Sequence, residues 1–142
     1  MKKLTRNTSG FIRTPFGTVR KVHAGHKGDT IVTHKNFLAK KGSVLTTYGT
    51  LTFLTYDQYV NSQWFEYGVE WRKKDGATTE VAVPACSMKE AMLAGNYAMF
   101  INAPDADQHP NCRLTVSHQR GGRISVFATR DIGINLIITG IM

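Results

Sequence analysis

The sequence predicts a mainly β fold of short strands and hairpins. Turn signals are frequent, and the runs between them are rich in β-branched and aromatic residues. The chain has 142 residues, of which 42% are hydrophobic, so it has the size and composition of one ordinary globular domain. We find no internal repeat and no linker long enough to separate a second domain, and we therefore expect a single domain over residues 1–142.

Seven runs have the composition of strands: residues 30–33, 43–48, 50–56, 65–72, 78–83, 113–117 and 123–128. Two pairs of these runs are predicted to form hairpins. The first pair flanks Asp75-Gly76, a dipeptide that accepts the positive φ angles of a tight turn. The second pair is joined across Gly121-Gly122.

One short helix is predicted after residue 87. Ser87 lies three residues before Glu90, the spacing of a capping box in which each side chain accepts from the other residue's amide. Residues 88–94 favour a helix, and Gly95 provides a stop, so we expect about two turns.

Positive charge is concentrated in the N-terminal third. Residues 1–42 contain ten Lys and Arg side chains and one acid, Asp29, whereas the remaining hundred residues contain eight basic and nine acidic side chains. Such a cluster attracts phosphate backbones, or it is a solvated face that maintains solubility, and the sequence leaves both interpretations open. The candidate nucleic-acid contacts are Lys2, Lys3, Arg6, Arg13, Arg20 and Lys21.

The sequence shows no secretory signal and no membrane span, since the apolar stretch 132–142 is far shorter than the roughly 20 residues that a span needs. We expect an intracellular protein. In a reducing compartment Cys86 and Cys112 are expected to be free thiols.

Two groups of polar residues offer possible metal ligands: His23 with His26, and Asp105 and Asp107 with His109 and Cys112. Their spacing fits no common metal motif, and carboxylates mix poorly with a single thiol. We interpret them as polar loop residues and expect no metal. Nucleophile-elbow, Walker and dinucleotide-binding motifs are also absent from the sequence.

The most specific motifs lie after the predicted helix. Residues 95–102 (Gly-Asn-Tyr-Ala-Met-Phe-Ile-Asn), the Pro-Asn-Cys at 110–112 and the hairpin ending Phe-Ala-Thr-Arg-Asp-Ile at 127–132 resemble the C-terminal half of a SET domain. Residues 17–20 and 27–31 are similar, more loosely, to the opening of that domain. The resemblance implies a SET-like, β-clip type fold.

SET domains are protein-lysine N-methyltransferases that use S-adenosylmethionine, and the resemblance implies that activity here. It assigns cofactor binding to an opening turn and to the segment around Asn102; the residues concerned are Phe16, Gly17, Thr18, Asn102 and Ala103. The implied partner is a protein with a target lysine, with histones as candidates, and in a eukaryote the implied location is nuclear chromatin.

Departures from the family pattern leave the catalytic residue unassigned. Ala103 stands where the family has histidine, and Met142 falls about where the family has its terminal tyrosine. The candidate replacements are Tyr48, Tyr67 and Tyr97, although most tyrosines in strands serve packing. The alternative function is a catalytically silent SET-like module that binds nucleic acid or an acidic protein through its basic N-terminal third.

Overall fold

The computed structural model describes residues 10–23, 28–72 and 79–141. Within these ranges it contains eleven short strands and two short α-helices. In chain order they are β1 (Phe11–Thr14), β2 (Gly17–His23), β3 (Asp29–Thr33), β4 (Val44–Thr47), β5 (Leu51–Leu54), α1 (Tyr56–Val60), β6 (Val69–Arg72), β7 (Thr79–Pro84), α2 (Met88–Leu93), β8 (Cys112–Ser117), β9 (Arg123–Ala128), β10 (Ile137–Ile138) and β11 (Gly140–Ile141). The predicted mainly β fold of short strands and hairpins is confirmed.

The strands form three small sheets, with the orders β1-β2-β3-β10, β11-β8-β9-β4 and β5-β7-β6. The last described residues join two of them, because β10 pairs with β3 in the first sheet and β11 pairs with β8 in the second. Ile31 of the first sheet and Ile124 of the second are both fully buried in the same core cluster. The C-terminal segment thus fixes the two sheets to one another.

Both predicted hairpins are confirmed. Strands β6 and β7 pair antiparallel with Arg72 opposite Thr79, although the Asp75-Gly76 turn between them lies outside the described residues. Strands β8 and β9 pair antiparallel with Ser117 opposite Arg123. Gly121 and Gly122 both have positive φ at this second turn, as the sequence predicts.

The predicted capping box of α2 is also present. The Glu90 amide donates to Ser87 Oγ at 3.1 Å, and the Ser87 amide donates to Glu90 Oε1 at the same distance. The prediction of one helix was incomplete, because α1 begins where the predicted strand 50–56 should end. Its cap is Thr55, which exchanges equivalent hydrogen bonds with Gln58. Neither helix, nor any other in the described ranges, is long and apolar enough to cross a membrane.

Candidate functional site

Asn102 lies where three parts of the chain meet. It follows the short 3-10 turn Ala98–Phe100, and its backbone pairs with Thr139 in a parallel bridge. The carbonyl of Asn102 accepts from the Thr139 hydroxyl at 2.9 Å and from the Gly140 amide at 3.2 Å. Its side-chain amide donates to the carbonyl of Asp29 at 2.6 Å. Asn102 therefore connects the start of β3 to the C-terminal segment.

Asp29 collects polar contacts from two further elements. Its carboxylate lies 3.5 Å from the Lys21 ammonium, and it accepts a 2.8 Å hydrogen bond from the Tyr67 hydroxyl. The two charged side chains are only 25% and 17% exposed, so water screens this ion pair less than it would on an open surface. The sequence interpretation missed this role of Asp29. The sequence does contain a signal for it, because Asp29 is the single acid among the ten basic residues of positions 1–42.

One aromatic ring lies next to the Lys21 ammonium, and two further rings pack against that ring. The Nζ of Lys21 lies 5.4 Å from the centre of the Phe100 ring, at a distance that allows a cation–π interaction. The Tyr67 ring meets Phe100 edge to face at 5.5 Å, and the buried Trp64 contacts both rings at 6.1 and 6.4 Å. We call Lys21, Asp29, Tyr67, Phe100 and Asn102 the Asp29 cluster.

Of the three candidate tyrosines, Tyr67 belongs to the Asp29 cluster. Burial, and then the hydrogen bond to Asp29, raise the pKa of Tyr67 to about 12, so its hydroxyl is protonated at neutral pH. Tyr48 donates to the carbonyl of Tyr67 at 2.9 Å, and burial raises its pKa. Tyr97 is fully buried, and its hydroxyl has no hydrogen-bond partner within the described residues. Burial raises the pKa of Tyr97 as well.

The predicted cofactor residues lie where the turn between β1 and β2 leads into β2: Phe16 ends the turn, and Gly17 and Thr18 begin the strand. We call these three residues the Phe16–Thr18 turn. The carbonyl of Phe16 accepts from the Leu38 amide, and the carbonyl of Thr18 accepts from the His34 amide. His34 is five residues along β3 from Asp29, which corresponds to about 17 Å of extended chain. The structure therefore places the Phe16–Thr18 turn at the opposite end of β3 from Asn102 and Ala103.

Packing explains the glycine in this turn. Gly17 has a φ of +126°, and a Cβ placed on it would lie 2.5 Å from the carbonyl oxygen of Asn36 and 2.6 Å from Cα of Phe37. Only a residue without a side chain allows this approach. The glycine that the sequence analysis assigned to cofactor binding thus has a structural requirement of its own.

The Pro-Asn-Cys motif holds the C-terminal segment. The buried Asn111 side chain donates to the carbonyl of Ile137 at 2.9 Å and accepts from the Thr139 amide at 3.1 Å. A Cβ on Gly140 would lie 2.5 Å from the sulfur of Cys112. Burial raises the pKa of the Cys112 thiol to about 12, which makes this thiol unreactive at neutral pH.

Three basic residues of the N-terminal third lie in the strands of the first sheet and are divided between its two faces. Arg13 and Arg20 are exposed, and the guanidinium of Arg20 lies 5.2 Å from the centre of the Phe11 ring. Lys21 follows Arg20 directly in the strand, so it points to the other face, where it pairs with Asp29. Lys2, Lys3 and Arg6 lie outside the described residues.

The possible metal ligands do not converge. Across residues 10–23, 28–72 and 79–141, no three His, Cys, Asp or Glu side chains are close enough to hold one metal ion. His26 falls outside these ranges.

The SET domain family matches residues 28–135, which is 108 of the 142 residues. The chain therefore belongs to the SET-domain family. No curated protein matches the sequence.

Solved structures show the same fold. A provisionally assigned histone methyltransferase from Plasmodium falciparum aligns with a TM-score of 0.53 at 11% identity, over 87% of this chain and 90% of that one. ATXR5, solved in complex with a mono-methylated histone H3.1, aligns with a TM-score of 0.60 at 18% identity. That alignment covers 98% of this chain but 62% of the ATXR5 chain. At these identities the likeness establishes the fold alone.

Proposed function

We propose that the chain is an S-adenosylmethionine-dependent protein-lysine N-methyltransferase. The observation that carries the proposal is the position of Asn102, which lies within the matched SET region and ties the C-terminal segment to β3. Next to it lie a half-buried ammonium, a carboxylate and a phenol, those of Lys21, Asp29 and Tyr67. Catalysis of group transfer depends mainly on such positioning of polar groups.

Asn102 and Ala103 are proposed to contact the cofactor. S-adenosylmethionine carries a carboxylate, an amine and a sulfonium. The Asp29 cluster offers a cation, an anion and an amide, which are suitable partners for these charges. When bound, S-adenosylmethionine would supply a methyl group that the neutral amine of a substrate lysine can attack. Phe16, Gly17 and Thr18 remain a separate proposal, because their turn lies about 17 Å along β3 from this cluster.

Tyr67 is proposed to orient the substrate amine. Its hydroxyl is protonated at neutral pH and donates to Asp29, so the phenol oxygen keeps a lone pair that can accept a hydrogen bond from an amine. Tyr48 and Tyr97 are less suited to this role because both are buried, with exposures of 4% and 0%. Tyr67 would thus serve in place of the family's terminal tyrosine.

The proposed substrate is a lysine on another protein. The ATXR5 structure contains histone H3.1, and we extend that substrate class to this chain, which makes histones the first candidates and the nucleus the proposed location in a eukaryotic cell. Chromatin is then the proposed setting of the reaction.

Calorimetric titration of the full chain with S-adenosylmethionine tests cofactor binding without a known substrate. We expect binding by the wild type and at least about tenfold weaker binding by Asn102→Ala, a loss of roughly 1.4 kcal/mol. Asn111→Ala is the matched control, because Asn111 also holds the C-terminal segment and is not a proposed cofactor contact. Equal affinity in wild type and Asn102→Ala would remove that assignment.

Phe16→Ala tests the second group of residues. If the Phe16–Thr18 turn contacts the cofactor, this variant weakens binding while its circular dichroism spectrum stays unchanged.

Methyl transfer is measured on purified histones by mass spectrometry. We expect Tyr67→Phe to bind the cofactor normally and to transfer methyl groups more slowly.

A catalytically silent SET-like binding module is the second candidate. The C-terminal strands β10 and β11 contain no tyrosine in the described residues 137–141, and Ala103 replaces the family's histidine. No detectable binding of S-adenosylmethionine to the wild type would make this the better description.

A further inference from the structure

The second sheet presents a polar, basic face to solvent. Across β8 and β9, Ser117 pairs with Arg123, Thr115 with Ser125, and Arg113 with Phe127. Directly opposed residues of antiparallel strands point to the same side, so these six side chains share one surface. The four from Arg113, Thr115, Ser117 and Arg123 are exposed, and those of Ser125 and Phe127 are partly exposed. We call this surface the arginine face.

A groove runs from this face to the neighbouring loop. It has a volume of about 700 Å³ and lies between the tip of the β8–β9 hairpin and the residues that connect β4 to β5. Arg120 and Arg123 line one wall, and Thr47 and Thr50 line the other. A smaller hollow of about 200 Å³ shares Arg120 and Arg123 and extends the groove around the hairpin tip.

The charge of this region is unbalanced. Residues 108–130 contain four arginines and no Asp or Glu. Within the described residues, Arg113, Arg120 and Arg123 form no ion pair, whereas Lys40 pairs with Asp131 and Arg72 with Glu70. Neither hollow has an acidic residue in its wall. Three guanidinium groups are therefore available to an anionic partner.

The spacing favours a polyanion over a small anion. Arg113 lies opposite Phe127, which is four residues from Arg123 along β9, a distance of about 14 Å. One small anion does not span the distance between the Cα positions of Arg113 and Arg123, whereas a chain with regularly repeated phosphates does. Phe127 adds a partly exposed ring beside Arg113, on which a base can stack.

We propose that the arginine face binds single-stranded nucleic acid, with Arg113, Arg120 and Arg123 contacting phosphates and Phe127 contacting a base. This surface is distinct from the exposed Arg13 and Arg20 on the first sheet. The proposal does not depend on cofactor binding or methyl transfer.

Fluorescence anisotropy with a labelled oligodeoxythymidylate of about 12 nucleotides tests the proposal on the full chain. The variant Arg113→Gln/Arg123→Gln is compared with Arg13→Gln/Arg20→Gln, which removes the same charge from exposed positions of the other sheet. We expect the first variant to bind at least tenfold more weakly at low salt. Its plot of log affinity against log salt should be shallower by about 1.4, because two phosphate contacts are lost. The second variant should stay within about threefold of wild type.

Three results would overturn the proposal. Absence of binding by the wild type at low salt is one. Equal weakening in both double variants is another, because it would show that only the net charge matters. The third is equal affinity for the oligonucleotide and for polyglutamate of matched length, with no weakening of either interaction in Phe127→Leu. That result would show that the face binds acidic protein segments. A selective loss of oligonucleotide binding in Phe127→Leu supports the base contact.

Discussion

The hydroxyl of Tyr67 donates a 2.8 Å hydrogen bond to Oδ2 of Asp29, a residue 38 positions earlier in the chain. The main-chain carbonyl of the same Asp29 accepts from the Asn102 side chain, 73 positions later. One aspartate thus connects the turn before β6 and the start of β3 with the segment at Asn102, which pairs with Thr139. A change at Tyr67 or Asn102 therefore acts on a shared structural element as well as on the proposed chemistry.

Replacing Tyr67 by phenylalanine should destabilise the fold moderately. Hydrogen bonds to charged groups contribute about 1.5–3 kcal/mol, and partial exposure reduces this value, so we expect a loss of about 1 kcal/mol. Chemical unfolding measures it. Tyr56→Phe is the control, since Tyr56 is 65% exposed. Equal stability of the two variants would show that the Tyr67–Asp29 bond contributes nothing in solution.

The raised pKa of Tyr67 predicts a pH dependence at the alkaline end. Because the pKa is about 12 in the folded chain and near 10 in the unfolded chain, the folded state holds more protons between these values. The contribution of Tyr67 to stability is therefore full below pH 10 and is lost as the pH rises through about 12. The free energy of unfolding should fall more steeply over this range in wild type than in Tyr67→Phe. Parallel curves for the two proteins would contradict the assigned pKa.

Two buried tyrosines should respond to the loss of their hydroxyls with opposite signs. Tyr48→Phe removes a hydrogen bond to the carbonyl of Tyr67 and leaves that acceptor without it, so we expect a loss of about 1–2 kcal/mol. Tyr97→Phe removes a buried hydroxyl that has no partner within the described residues, so stability should stay equal or rise by up to about 1 kcal/mol. Chemical unfolding of both variants measures the difference. A loss in Tyr97→Phe would indicate that its hydroxyl binds an ordered water.

Local signals predicted local structure. The capping box at Ser87 and Glu90 and the two glycines at 121–122 act over a few residues, and both have the predicted consequences. Helix α1 carries the same type of signal in Thr55 and Gln58. It was missed because the β-branched and aromatic residues of 50–56 were interpreted as one continuous strand. That strand ends at Leu54, and the cap then starts a helix.

The sequence predicted less of the site than of the fold, because the residues that contact one another in the site are far apart in the chain. The motif around Asn102 identified a residue at the centre of the Asp29 cluster. No spacing rule joins Asp29 to Tyr67 across 38 positions, and the aromatic rings of Trp64 and Phe100 resemble ordinary core residues. The resemblance also groups Phe16–Thr18 with Asn102 in one cofactor site. The two groups contact opposite ends of β3, and their shared role in cofactor binding stays a prediction.

Gly17 allows the packing and cofactor interpretations of a glycine turn to be separated. Gly17→Ala places a Cβ against the backbone of Asn36 and Phe37 at a φ of +126°, so we expect a loss of at least about 3 kcal/mol in the free energy of unfolding. Two control glycines have nothing within 4 Å of the added Cβ. Gly42→Ala has a φ of +91° and should cost about 1 kcal/mol, whereas Gly133→Ala lacks that φ penalty and should change stability by less than about 0.5 kcal/mol. If Gly17→Ala is no less stable than Gly42→Ala, the close approach to Asn36 does not require glycine. A loss of S-adenosylmethionine binding in that stable variant would then assign the glycine to the cofactor.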